Sequence, residues 1–245
     1  MQAYSQDFYN NRHEKTVHSA NSILSIVLQH IPAIDSAVDV GCGVGTWLSV
    51  LLEKGVSHVQ GVDGDWVDRD LLVIPKTSFS QVDLGKVMVK LPQRYGLAIA
   101  LEVAEHLTSD RAAEFVTALT ELSDFVLFSA AIPFQGGSNH VNEQWPQYWV
   151  ELFAARDYVA HDFIRAKIWN DNKIPFWYRQ NILLFSTRQL SGNIRVAAAA
   201  GDSSRMPLDV VHPELYRNKV NAQTGVKASF KLFRRSLREY LRTIR

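Results

Sequence analysis

The 245-residue sequence predicts an α/β protein built on a doubly wound, mostly parallel sheet. Three observations support this prediction. Short apolar runs alternate with amphipathic stretches from residue 36 to residue 132. A cluster of glycines joins the first run, "SAVDV", to the amphipathic stretch after it. The run "YGLAIALEV" is apolar throughout, as a strand covered on both faces has to be.

The first part of the chain then divides into elements in order. Apolar residues at helical spacing predict a helix over 14–30, ahead of the first strand. A second helix over 44–55 is closed by Gly55. "HVQGVDG" and "SFSQVDL" are predicted as the second and third strands, and "YGLAIALEV" as the fourth. A helix over 109–123, capped by Ser109, precedes a fifth strand, "DFVLFSAAI".

The second half of the chain is organised differently. A polar loop leads into an aromatic-rich helix, after which "VAHDFI" and "NILLFS" predict two strands. Because no strong helix separates these two strands, we expect an antiparallel hairpin at the edge of the sheet. After Arg188 the sequence resembles a surface linker and then a basic amphipathic helix. The predicted domains are therefore a helical cover over 1–34, the α/β domain over 35–188 and an extension over 189–245.

Composition limits the classes of protein and partner. Hydrophobic residues make up 47% and charged residues 21%, which is typical of a globular protein with a core. The formal net charge of +1 gives no overall field to attract nucleic acid, so we expect none as a partner. A single cysteine, Cys42, excludes an internal disulfide. The polar N-terminus lacks a signal peptide and no run is long enough for a transmembrane segment, so we expect a cytoplasmic protein.

The stretch "AVDVGCGVGTW" contains three glycines, which would let the backbone approach a ligand closely because they have no side chains. A dinucleotide loop of the G-x-G-x-x-G type would need its third glycine at Thr46, but that glycine is Gly45. A phosphate-binding P-loop would need a lysine, which this loop lacks. Asp39 would repel a pyrophosphate and attract a cationic ligand. S-adenosylmethionine, a sulfonium and an ammonium on a nucleoside, is such a ligand.

At this point the sequence resembles the class I S-adenosylmethionine-dependent methyltransferases, which have a Rossmann-like fold. Their first motif, D-x-G-x-G-x-G, matches Asp39, Gly41, Gly43 and Gly45, and the resemblance continues through residues 37–132. It implies that Asp63, followed by Gly64, accepts hydrogen bonds from the ribose hydroxyls. It also implies that Asp83 and Leu84 meet the adenine, and we assign Glu102, where the fourth strand ends, to the same cofactor site.

Methyl transfer to a hydroxyl requires a group that removes a proton. The fourth strand ends in "ALEVAEHL", which places Glu105 and His106 at the site. His106 is the candidate base because imidazole titrates near neutral pH, and the alternative is that it caps or supports the next helix. His140 and Glu105 are further catalytic candidates.

The E-x-x-E-H spacing from Glu102 to His106 also resembles the ubiquinone-pathway O-methyltransferases and the small-RNA 2′-O-methyltransferases. In those families the cluster can hold a divalent ion, and His140 would help to complete the ligand set. Many methyltransferases carry the motif without a metal, so we do not expect one here, and the metal ligands stay unassigned.

The loop "IPFQGGSNHVNEQWPQYW" interleaves hydrogen-bonding groups with aromatic faces, which suits a sugar or another polyhydroxylated acceptor. Glu143, Trp145 and Tyr148 are the predicted acceptor contacts, whereas Trp149 is expected in the core. Arg179 and Tyr178 would meet an anionic group such as a nucleotide-sugar phosphate, or else Arg179 pairs with a carboxylate at the sheet edge. This half of the chain resembles bacterial methyltransferases of surface-glycan and secondary-metabolite pathways.

The predicted function is O-methylation of a small polar acceptor such as a sugar, nucleotide-sugar or glycan precursor. One alternative is a small-molecule N-methyltransferase; the other is a non-catalytic module that binds S-adenosylmethionine and acts through its basic C-terminal helix. That helix, within 227–245, either docks on the protein with its basic face in solvent or makes a peripheral contact with an anionic membrane. Assembly into an oligomer also stays open.

Overall fold

A computed structural model describes residues 6–194, 207–223, 229–230, 232–234 and 236–237, with side chains from Thr16 onward. Seven strands and seven α-helices occur in these residues. The strands are β1 (Ser36–Val40), β2 (His58–Asp63), β3 (Phe79–Gln81), β4 (Leu97–Leu101), β5 (Phe125–Ser129), β6 (Tyr158–His161) and β7 (Leu183–Thr187). The helices are α1 (Gln6–His30), α2 (Thr46–Glu53), α3 (Ala112–Leu122), α4 (Pro146–Ala154), α5 (Arg165–Ile168), α6 (Phe176–Asn181) and α7 (Pro213–Gln223).

The strands form one sheet in the order β3-β2-β1-β4-β5-β7-β6. The first five are parallel, with Val38 of β1 level with Ala98 of β4. β7 runs antiparallel to β5, and β6 pairs antiparallel to β7 at the edge. The predicted fold class, a doubly wound and mostly parallel sheet with an antiparallel edge, is confirmed.

Two apolar layers cover the sheet, and β4 shows how its side chains divide between them. Leu97 and Ile99 point into the layer that contains α1 and α2, whereas Ala98 and Ala100 point into the layer of α3 and α4. All four side chains are fully buried. Burial on both faces explains why this strand is apolar at every position instead of at alternate ones.

Some local predictions were wrong. Ser109 lies in a 3₁₀ turn, and no side chain caps α3, which begins at Ala112. The two edge strands are separated by α5 and α6, which the sequence did not predict. The chain divides into two compact units, Met1–Val210 and Val211–Arg245, and the domain boundaries placed after residues 34 and 188 stay predictions.

The predicted extension is described only in part. Most of the segment 191–207 and many residues of the basic helix lie outside the described residues. Within the part of the chain that the structure describes, no helix has the length and apolarity needed to cross a bilayer.

Candidate functional site

The glycine loop follows β1, at the carboxyl end of the sheet. Its three glycines, Gly41, Gly43 and Gly45, have φ angles of 87°, 54° and 89°, in the left-handed region that side chains disfavour. At Gly41 an added Cβ would also lie 2.3 Å from a methyl group of Val103. The amide of Gly41 donates to the carbonyl of Val62 at 2.7 Å, which ties the loop to β2. The spacing of the glycines is therefore required by the backbone itself.

Two carboxylates lie under this loop. Asp63 accepts hydrogen bonds from the amides of Gly43 and Gly64, each at 2.7 Å. Asp39 is buried at the end of β1, and burial raises its pKa well above the usual range, with the charge of Asp63 adding to the shift. The thiol of Cys42 is buried as well, and burial raises its pKa far above the usual value. A cysteine in that state packs like a small apolar residue, as the sequence predicted.

Glu102 ends β4 and is held by a network of side-chain amides. Its carboxylate accepts from Gln135 at 3.0 Å and from Asn181 at 3.1 Å. Burial raises the pKa of Glu102, and these hydrogen bonds oppose the shift. Its φ of 56° is strained for a residue other than glycine, as are those of Phe134 and Asn139 in the loop after β5. Strain of this kind is often concentrated at functional sites.

Glu105, His106 and His140 form a cluster beside Glu102. One ligand atom from each of the three lies within 4.8 Å of the others. Glu105 is fully buried, and neither of its carboxylate oxygens has a hydrogen-bond partner among the described residues. Burial raises its pKa well above the usual range, and the charge of Glu102 adds to this. The rings of His106 and His140 meet edge to face, 5.0 Å apart. Carboxylate and imidazole groups at this spacing can move a proton or hold a divalent ion.

A single cavity of about 630 Å³ connects the glycine loop with this cluster. It lies at the carboxyl ends of the neighbouring strands β1 and β4, where the strand order of the sheet reverses. This is the usual ligand-binding position in such sheets. The predicted site residues in its wall are Asp39, Gly41, Gly43, Glu102, Glu105, His106 and His140.

Other predicted residues do not reach the cavity wall. Asp63 lies behind Gly43, and Glu143 behind His140, through hydrogen bonds of 2.7 and 3.0 Å. Asp83 pairs with Lys86 at the surface, at 2.8 Å. The remaining ones, also absent from the wall, are Gly45, Gly64, Leu84, Trp145, Tyr148 and Arg179.

The expected anion contact of Arg179 is not formed in the cavity. Arg179 is buried in α6 and donates to the carbonyl of Trp169 at 3.1 Å, whereas its neighbour Tyr178 lines the cavity. Successive residues of a helix point about 100° apart, and Arg179 is on the side of α6 that does not line the cavity, whereas Trp177 and Tyr178 do line it. Trp149 is buried in the core, as predicted.

The wall also contains Tyr178, which the sequence analysis paired with Arg179, and residues that it did not identify. Trp47 and Tyr178 pack edge to face at 5.4 Å, and Trp177 lies beside them. Thr16 from α1 and Gln135 from the loop after β5 also line the cavity. The aromatic run "PFWYRQ" was the feature of the sequence that could have indicated Trp177 and Tyr178. The run alone does not show which face of the helix points to the sheet.

The arrangement of this sheet and its flanking helices is that of the class I methyltransferase fold. An O-methyltransferase family protein from Burkholderia thailandensis aligns with a TM-score of 0.53 at 11% identity, over 74% of this chain and 57% of that one. Magnesium protoporphyrin IX methyltransferase from Synechocystis PCC 6803, crystallised with bound S-adenosylmethionine, aligns with a TM-score of 0.51 at 16% identity, over 76% of this chain and 86% of that one.

The same Synechocystis enzyme with bound S-adenosylhomocysteine aligns with a TM-score of 0.52 at 15% identity, over 76% and 90% of the two chains. The chain thus spans less than two thirds of the length of the Burkholderia protein. No protein-family model and no curated protein match the sequence. At these identities the structures show a shared fold, which confirms the predicted class of architecture.

Proposed function

We propose that the protein transfers a methyl group from S-adenosylmethionine to a hydroxyl of a small polar acceptor. The observation that carries this proposal is the cavity itself. Its wall contains the glycine loop and Asp39 as one group of residues, and Glu105, His106 and His140 as a second. A cofactor held by the first group would present its methyl group towards the second, where groups able to accept a proton are concentrated.

The residues at the glycine loop fit a cationic nucleoside. Asp39 is buried and faces the cavity, and the described wall contains no Lys or Arg to balance it. The ammonium and sulfonium of S-adenosylmethionine would supply the missing positive charge. Gly43, where nothing lies within 4 Å of an added Cβ, leaves room for the methionine portion, and Asp63, next to the wall behind Gly43, is proposed to accept from the ribose at the edge of the cavity. Asp83 and Leu84 are proposed neighbours of the adenine, with Gly45 and Gly64 shaping the loops.

At the acceptor end the protein has to align the hydroxyl and remove its proton. When bound, the cofactor supplies a carbon activated by positively charged sulfur. His140 and His106 are the proposed proton acceptors, and the buried carboxylate of Glu105 faces the same space. The pKa of His106 is lowered by burial and by His140, which favours the neutral imidazole that a base requires.

The proposed acceptor is an uncharged sugar or a similar polyhydroxylated molecule. The wall contains the aromatic side chains of Trp47, Trp177 and Tyr178 together with the polar groups of Gln135 and His140. Because Arg179 is not in the described wall, that wall offers no Lys or Arg to pair with the phosphate of a nucleotide sugar. Trp145 and Tyr148, next to this loop, are proposed to touch the outer part of a larger glycan acceptor.

Calorimetric titration tests the cofactor assignment. The purified protein should bind S-adenosylmethionine and S-adenosylhomocysteine, whereas NADH should give no heat. An Asp63→Ala variant should bind both more weakly, by about 1.5–3 kcal/mol, because a hydrogen bond to a charged group is lost. Binding of NADH in place of the other two ligands would refute the proposal.

Turnover with unphosphorylated sugars then separates the alternatives. An N-methyltransferase would keep most of its rate in a His106→Ala variant, because an amine acceptor needs alignment more than a base. A non-catalytic module would bind the cofactor and turn over no acceptor. Assays with and without EDTA show whether Glu105, His106 and His140 act with a divalent ion.

A further inference from the structure

His140 is held on one side of its ring by a partly buried carboxylate. Nδ1 of His140 lies 3.0 Å from Oε1 of Glu143, and the two side chains are only 13% and 19% exposed. The same oxygen accepts the amide of Gly136 at 2.6 Å. Because a carboxylate can only accept, the proton between Glu143 and His140 belongs to Nδ1. The neutral ring then carries its free electron pair on Nε2.

The other side of the ring faces a glycine. A Cβ added to Gly137 would lie 2.1 Å from Nε2 of His140, too close for both to fit. Gly137 and His140 both line the cavity. The Cβ would also lie 2.4 and 2.7 Å from Cε1 and Cδ2, which places it over the face of the ring, so the missing side chain is what allows the ring to occupy this position.

His106, the base expected from the sequence, is fixed less firmly. Its Nδ1 lies 3.3 Å from the carbonyl of Asn139, which is a long contact to an uncharged acceptor. His106 is also more exposed to solvent than His140, whose side chain is mostly buried. A base that is held by a carboxylate is the better arrangement, because the carboxylate also stabilises the imidazolium that forms.

We propose that Glu143 and Gly137 are positioning residues, Glu143 setting the tautomer of His140 and Gly137 leaving room for its ring, so that Nε2 of His140 receives the proton of the acceptor. The last step rests on the proposed function. As the new oxygen–carbon bond forms, the sulfur–carbon bond breaks and its electron pair stays on sulfur. The hydroxyl proton passes to Nε2 and is later released to solvent.

The tautomer is tested by nitrogen NMR of the full chain with EDTA present. In the wild type, the shifts of His140 should show protonated Nδ1 and unprotonated Nε2 at a pH where the ring is neutral. Glu143→Leu should abolish this preference, because it removes the acceptor. Glu143→Gln should keep it, because the amide of Gly136 holds an oxygen at the same place. A wild type protonated on Nε2, or a Leu variant with unchanged shifts, overturns the proposal.

Steady-state kinetics test the consequence. Glu143→Gln retains the geometry but lacks the charge, and we expect kcat to fall about 10- to 100-fold with little change in KM for the cofactor. Gly137→Ala should lower kcat by a similar factor, because the new methyl group displaces the ring from its position. Gly192→Ala is the matched control, since nothing lies within 4 Å of a Cβ there. An unchanged kcat in both site variants contradicts the assignment of His140.

The experiment can refute the proposed function and the positioning of His140 independently of each other. If no acceptor is methylated while the tautomer depends on Glu143, the positioning of His140 stands and the proposed function falls. If methylation occurs and the tautomer does not depend on Glu143, the proposed function stands and this inference falls.

Discussion

At the scale of single residues, Asp39 destabilises the cofactor-free protein, although its carboxylate is proposed to favour binding of the cofactor. Burial and the charge of Asp63 raise its pKa, so ionisation is unfavourable in the folded, cofactor-free protein. Below the ordinary pKa of an aspartate, about 3.9, both folded and unfolded chains are protonated there. As the pH rises towards the raised folded pKa, the unfolded chain ionises first, and stability is lost.

An Asp39→Asn variant should therefore melt at a higher temperature than the wild type without cofactor. The difference should widen as the pH rises from about 4 and become constant above the folded pKa. Melting curves between pH 4 and pH 8 measure it, with the exposed Asp110→Asn as the control. The same variant should bind S-adenosylmethionine at least about tenfold more weakly. A variant that melts lower at every pH would show that the carboxylate of Asp39 has a stabilising partner.

At the scale of residues, the sequence identified those side chains whose position depends only on the neighbouring part of the chain. Asp39 and the glycines are fixed by the backbone of one loop, and their spacing shows it. The roles of Glu143 and Arg179 depend on which way a side chain points after the chain has folded. Glu143 was expected to touch the acceptor, but it contacts His140, and no periodicity in that irregular loop indicates this.

At the scale of elements, a buried amide network joins three parts of the chain. Asn181 at the end of α6 donates to Glu102 after β4 and to Gln135 in the loop after β5, at 3.1 and 3.0 Å. Gln180 also donates to Gln135, at 3.2 Å. These bonds hold the acceptor-side loop against the sheet and compensate for the strained backbone of Glu102.

Replacing Asn181 by Ala should lower the free energy of unfolding by about 1–3 kcal/mol, because two buried acceptors each lose a donor. The loop should also loosen, which would raise KM for the acceptor more than for the cofactor. Urea denaturation measures the first effect and steady-state kinetics the second. Asn170→Ala, at an exposed position, is the matched control. A loss below about 0.5 kcal/mol, the range of ordinary surface substitutions, would mean that the network is not stabilising.

The regular elements were predictable because each has a clear pattern. The fully apolar β4 and the alternation of strands and helices through residue 132 are confirmed. Short helices such as α5 and α6 have too few residues to show a helical period, and tertiary contacts stabilise them. Arg165 in α5 is an example, since its buried guanidinium donates to the carbonyls of Gln180 and Leu208. Contacts so distant in sequence leave no local signal.

At the scale of the whole molecule, positive charge is concentrated at one end of a chain that is nearly neutral. The segment 226–245 contains seven basic residues and one acid, Glu239; the basic ones are Lys227, Lys231, Arg234, Arg235, Arg238, Arg242 and Arg245. Tyr240 and Ile244, which the sequence places on its apolar face, lie outside the described residues. Phe230, Phe233 and Leu237, on that same face, are 60%, 62% and 44% exposed.

These features predict a peripheral contact with an anionic membrane. Each Lys or Arg near such a surface contributes about 1 kcal/mol, and the apolar side chains would enter the headgroup region. The protein should sediment with vesicles that contain an anionic lipid and not with purely zwitterionic ones. Binding should weaken strongly at about 1 M salt, where the Debye length is about 3 Å.

A Phe230→Ser, Phe233→Ser double variant should lose vesicle binding, because it keeps the charge and removes the apolar contact. Val87→Ser is the matched control, since Val87 is 63% exposed and lies in the other compact unit. Methyl transfer to a water-soluble acceptor should be unchanged in both variants, because none of these residues lines the cavity. Equal binding to both kinds of vesicle would contradict the role of charge. Binding to labelled single-stranded RNA without binding to vesicles would instead assign the basic segment to nucleic acid.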